Sequence, residues 1–196
     1  MIFSFLGVSA QIKKEYYKDK SVKAEGKLKN GDKEGEWTSY YPDGTVSAVQ
    51  QFSEGKLNGE CLFFDFDGKL LTKESWEMDI LEGEFIEYYP NSQIKKIGKF
   101  INGVYEGKWL FFFENGYNRQ IANYQNGLPH GKWKIFNEKG ILIQNGNYFE
   151  NQEDGFWQFF DEKGKPQFEG NYLKGEKIGE WYEYSKKGKK KLMKIK

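Results

Sequence analysis

The sequence predicts an all-β fold: an elongated, single-sheet antiparallel meander of seven 24-residue β-hairpin repeats with an N-terminal half-repeat. Three observations predict it. Glycine recurs at Gly35, Gly59, Gly83, Gly107, Gly131, Gly155 and Gly179, always 24 residues apart, and a fixed period of this size marks a repeat architecture. An apolar residue stands two positions after each (Trp37, Cys61, Phe85, Trp109, Trp133, Trp157, Trp181), and a ring five positions after (Tyr40, Phe64, Tyr88, Phe112, Phe136, Phe160, Tyr184). Aromatic residues number 36 among 196, more than the 30 Ile, Leu and Val together, and rings suit strands.

The units tile the chain without insertion as 29–52, 53–76, 77–100, 101–124, 125–148, 149–172 and 173–196. Residues 11–28 form the divergent half-repeat, with Tyr16 in the aromatic column and Lys20 where a turn glycine would fall. Each unit opens on a strand such as residues 107–113. A turn follows, as in Pro42-Asp43-Gly44 or Glu138-Lys139-Gly140, where glycine supplies a positive φ. The second strand ends on a last aromatic column, Phe52, Trp76, Phe100, Tyr124, Tyr148 and Tyr172. A loop such as Asn126-Gly127 then leads to the next unit. Where that glycine is missing its column holds Asp79 or Asn151, the residue types most tolerant of left-handed backbone.

Gly98, Gly146 and Gly170, with Ala122 in the same column, fall inside strands, where glycine is unfavourable unless a neighbouring ring lies over the bare backbone. Rings three residues apart, such as Trp109 and Phe112, lie on opposite faces of a regular strand, or a bulge intervenes. No copy sustains a helical period.

The unit Asn126-Gly127…His130-Gly131-Lys132-Trp133…Phe136…Gly140…Gly146-Asn147-Tyr148 and its siblings resemble the MORN repeat variant of bacterial proteins, and look most like the YwqK-type antitoxin family. The resemblance covers about residues 29–196. It implies a sheet of stacked hairpins and immunity against a partner toxin. Modules of this type are also linked to scaffolding and membrane attachment, and a fold does not choose among such roles.

Chemistry of other kinds finds little footing. The formal charge of +1 lacks the basic surplus expected for nucleic acid. Cys61 is the only cysteine and stands in the Trp column as a small hydrophobe; His130, the only histidine, lies in a loop about three hairpins away, so a Cys–His pair is not expected. One His and one Cys do not supply a zinc ligand set. The recurring carboxylates, Glu34 with Glu36 and Glu82 with Glu84, read as a solvated loop face. Glycine-rich loops without a following helix lack a phosphate cradle. The expectation is a protein that is not an enzyme and uses no cofactor or metal.

The expected partner is another protein, a toxin or an envelope complex, docked on rows of rings. Tyr41, Tyr89, Phe111 and Phe113 lie in the variable columns and are the candidate partner-binding residues, with completion of the core as their alternative. Residues 1–10 are apolar and end Val8-Ser9-Ala10, which reads as the remnant of an export signal and favours a periplasmic or outer-membrane-associated location, with an edge strand as the alternative. Without export the location would be cytoplasmic. Seven lysines in the last eleven residues read first as protection of a sheet edge and second as a membrane or acidic-partner patch.

Overall fold

Two-residue loops dictate the local structure. Asn30-Gly31, Glu54-Gly55, Met78-Asp79, Asn102-Gly103, Asn126-Gly127, Glu150-Asn151 and Lys174-Gly175 have positive φ at both positions, the type I′ geometry that matches strand twist. Asp79 (φ 70°) and Asn151 (φ 67°) do stand left-handed in the glycine column. The computed structural model describes residues 11–193. The export-signal reading of residues 1–10, and Lys194 and Lys196 of the basic cluster, lie outside the described residues.

The described chain contains strands and turns and no helix, and it forms two compact units divided between Ser92 and Gln93. The first holds β1 (Gln11–Tyr16), β2 (Val22–Lys29), β3 (Asp32–Tyr40), β4 (Val46–Ser53), β5 (Lys56–Leu57), β6 (Gly59–Phe64), β7 (Leu70–Glu77) and β8 (Ile80–Tyr88). The second holds β9 (Ile94–Ile101), β10 (Val104–Phe112), β11 (Asn118–Gln125), β12 (Leu128–Pro129), β13 (Gly131–Phe136) and β14 (Leu142–Phe149). It continues with β15 (Gln152–Glu153), β16 (Gly155–Phe160), β17 (Pro166–Leu173), β18 (Glu176–Tyr184) and β19 (Lys190–Leu192). Within each unit successive strands pair antiparallel, an open meander.

The period-marking glycine makes a bulge. Gly35 (φ 68°), Gly107 (φ 66°), Gly155 (φ 72°) and Gly179 (φ 62°) are left-handed, and the ladder breaks there: Glu34 faces Lys27, but Trp37 faces Gly26. At this break Trp37 donates its Nε1–H to Lys27 O at 3.0 Å while the indole lies flat on Gly26. Trp109 on Gly98, Trp157 on Gly146 and Trp181 on Gly170 repeat this, with Nε1–H bonds to Lys99 O, Asn147 O and Asn171 O. All four indoles are at most 1% exposed. Truncating such a buried ring costs about 3–5 kcal/mol, so these seats hold the stack together.

The partner column obeys steric logic. Gln50 precedes Cys61, Glu74 faces Phe85, and Ala122 precedes Trp133. Wherever the seat carries a side chain the occupant is smaller or, for Trp133, left half-exposed. In the second unit the rings run on as an edge-to-face row, Tyr105–Tyr124 at 5.1 Å, Tyr124–Trp133 at 5.7 Å, Trp133–Tyr148 at 4.8 Å and Tyr148–Trp157 at 5.2 Å. Burial raises the Tyr124, Tyr148 and Tyr172 hydroxyl pKa values.

A second register slip, between Phe111 and Phe112 or Phe159 and Phe160 for instance, lies near the glycine turn of each hairpin. Trp157 and Phe159 stack on one face with centroids 6.0 Å apart, and by alternation Phe156, in unbroken register with Trp157, points to the other. Both faces therefore carry rings.

Candidate interaction surface

One face of each unit is the Trp face, whose ring columns are packed against one another. The opposite face is left open near the two-residue turns. There the residues flanking each turn pair across it: Glu77 with Ile80 in the first unit, and Ile101 with Val104, Gln125 with Leu128, Phe149 with Gln152 and Leu173 with Glu176 in the second. Val104, Leu128, Phe149 and Leu173 are 41–52% exposed. Successive turns are bonded in a ladder, Gly127 N–H to Tyr105 O, Asn151 N–H to Pro129 O and Gly175 N–H to Glu153 O, so these side chains are held on a fixed pitch. Two strand spacings set that pitch at roughly 10 Å.

The same face carries a largely charged column one residue after the bulge glycine. In the first unit it reads Glu36, Glu60 and Glu84; in the second it reads Lys108, Lys132, Phe156 and Glu180. All seven are exposed. Glu60 pairs with Lys73 at 2.6 Å, and Glu36 accepts a bond from Gln51.

The residues expected at the partner contact distribute differently. Phe111 is 9% exposed, stacks on Trp109 with centroids 6.1 Å apart and has the Arg119 guanidinium 5.7 Å from its ring centre, so it belongs to the core. Trp109, Leu110 and Phe111 pair in unbroken register, so alternation alone puts Phe111 on the Trp face. Tyr41 ties one glycine turn to the next: its hydroxyl donates to Phe64 O at 2.7 Å and its ring stacks on Phe66, just as Tyr17 donates to Tyr40 O. Phe113 and Tyr89 are half-buried, and their carbonyls close the turns at Gly116 and Ser92. In the second unit Asn137 makes the same turn-to-turn tie, donating to Glu162 O at 2.9 Å.

Cys61 is fully buried, and that burial raises its pKa away from thiolate formation. His130 packs its ring 5.2 Å from that of Phe149. The exposed apolar row was missed in the sequence because its members alternate between two columns, either side of the loop. A signal existed: Ile80, Val104 and Leu128 stand one residue after the loop, where polar side chains suffice.

Four segments, 33–54, 81–102, 129–150 and 153–174, match the model of the MORN repeat variant. Each begins two residues before the bulge glycine and ends inside the next two-residue turn, in phase with the 24-residue period. The segments are thus single hairpins of the kind described above. No curated protein matches the chain. Among solved structures, a chain of a crystal structure described as the GtfA/B complex bound to UDP and GlcNAc is 10% identical with a TM-score of 0.24; the match covers 72% of this chain and 24% of that one.

Proposed function

We propose that this chain is a non-enzymatic protein-binding repeat module, acting as an antitoxin-like immunity protein that occludes its partner. One observation carries the reading: Val104, Leu128, Phe149 and Leu173 stand half in solvent at fixed pitch on the face opposite the Trp row. The fold is complete without them, and exposed apolar rows of this kind mark interaction surfaces. A bonded ladder of turns holds them in place before binding, which lowers the entropy cost of association. Membrane contact through the C-terminal lysines is the less favoured use of that end.

An exported scaffold subunit of an envelope complex is the second reading, favoured by the small residues Val8 and Ala10 before Gln11. Affinity capture of the tagged protein from its native cells, with fractionation and mass spectrometry, separates the two. One toxin-like protein at equal stoichiometry supports immunity; recovery with periplasmic or outer-membrane machinery supports the scaffold. The double variant Leu128→Ser, Phe149→Ser is expected to weaken capture at least tenfold with little change in thermal unfolding. Undiminished capture by the folded variant would refute this surface.

A further inference from the structure

We propose that the Trp133 indole is a binding site for an organic ammonium group, held between Tyr124 and Tyr148 on the Trp face. That face is opposite the exposed apolar row, so the site does not rest on the partner-binding reading. The chain itself shows what such an indole takes. Four residues before the tryptophans of the column stand Lys33, Tyr105, Pro129, Glu153 and Lys177. Lys33 holds its ammonium 4.1 Å from the ring centre of Trp37, and Lys177 holds its own 4.3 Å from that of Trp181. Tyr105 stacks on Trp109 with centroids 3.9 Å apart. At Trp133 the equivalent residue is Pro129, which brings neither a charge nor an aromatic ring. Among the described residues no cation stands over this indole.

Ala122 explains why the ring is available. At the glycine seats a Cβ would stand between 2.0 and 2.6 Å from indole atoms, so the Cβ of Ala122 keeps Trp133 off its seat. Its Nε1–H, unlike those of Trp37, Trp109, Trp157 and Trp181, makes no hydrogen bond within the described chain. No buried donor is left unsatisfied among the described residues, so that N–H faces water. Tyr124 and Tyr148 stand edge-to-face against the indole, with centroids at 5.7 and 4.8 Å and planes at 64° and 67°, and give the floor two walls. Glu153 faces Tyr148 in the ladder, and its carboxylate is, after burial, the next cause of the raised Tyr148 hydroxyl pKa. A negative charge therefore stands at the rim. Lys132 and Lys134 flank Trp133 in sequence but alternate to the opposite face. On the Trp face Arg119 is engaged over Phe111, and Lys96 donates to the Tyr105 hydroxyl. Aromatic rings beside a carboxylate attract a cation and give a neutral guest no comparable gain.

The test follows the indole N–H resonances of the full, isotope-labelled chain by NMR, the Trp133 peak being assigned by its absence from Trp133→Phe. The probes are tetramethylammonium with its neutral analogue tert-butanol, and N-acetyl-lysine amide with its neutral, side-chain-acetylated form, all at constant ionic strength. An ammonium probe is expected to move the Trp133 peak saturably, leave the other indole peaks in place, and bind at least tenfold tighter than its neutral counterpart. Pro129→Lys gives this indole the cover that Trp37 and Trp181 have, and is expected to lower the affinity at least tenfold. Ala122→Gly is expected to do the same by letting the ring settle, with no loss of thermal stability, and Glu153→Gln to weaken binding by a smaller factor. Binding of the lysine amide assigns the guest to a lysine side chain of a protein; binding of tetramethylammonium alone assigns it to a free quaternary amine. Equal response to charged and neutral probes, no saturable shift at Trp133, or undiminished binding by a folded Pro129→Lys chain would each overturn the site.

Discussion

Replacing Gly146 by alanine tests the seat on which the fold depends. A Cβ built on Gly146 would stand 2.0 Å from Cδ2 of Trp157, far inside any non-bonded carbon contact, and the strand on the other side is fixed by the pairing of Gly146 with Trp133. The indole must leave. Its Nε1–H bond to Asn147 O, 3.1 Å long, is lost, at about 1 kcal/mol. If the ring lifts as Trp133 does over Ala122, about a third of its surface, on the order of 60 Å², returns to water at about 1.5 kcal/mol. Alanine recovers about 0.5 kcal/mol of backbone entropy relative to glycine. The net cost is about 2 kcal/mol, or a fall in Tm of about 4–8 °C for a chain of this size. Thermal and urea unfolding followed by indole fluorescence measures it, and the Trp157 emission should shift to the red. The complementary Ala122→Gly should let Trp133 settle and shift its emission to the blue. A change below about 0.5 kcal/mol for Gly146→Ala, with unshifted emission, would refute the seat as the source of stability.

Two further outcomes are expected. Phe111→Ala should cost about 3–5 kcal/mol in unfolding free energy, because its ring is buried against Trp109; an unchanged midpoint with lost partner binding would return it to the surface. Asp161 accepts the N–H groups of Lys165 and Lys163, which holds its carboxyl pKa below the ordinary 3.8. Its contribution to stability is therefore full above that ordinary value and is lost as pH falls through the lowered one. Asp161→Asn should flatten this acid limb while keeping the turn, as Asn137 accepts the Lys139 and Ile141 N–H groups in the equivalent turn. Unfolding midpoints from about pH 2 to 6 measure it, and an unaltered acid limb counts against the assignment.

The backbone of this protein is legible from its sequence because its rules are local. A 24-residue glycine period, Asn-Gly loops and their Asp79 and Asn151 substitutes report dihedral angles, and dihedral angles belong to single residues. The pairing of Gly98, Gly146 and Gly170 with rings was legible for the same reason: a bare strand position is unfavourable unless something covers it. Which side chains face which way was not. Alternation by two gives every residue a face, but each glycine bulge and each slip near the far turn resets the count, and these irregularities exist only in the pairing of strands. Phe111 joins Trp109 in the core by plain alternation, whereas Tyr41, beyond the slip after Ser39, ties turn to turn, and Val104, Leu128, Phe149 and Leu173 are left half in water. Composition and period thus determine that hairpins form and stack; burial is a property of the neighbouring hairpin, and only the tertiary structure decides what remains available to bind.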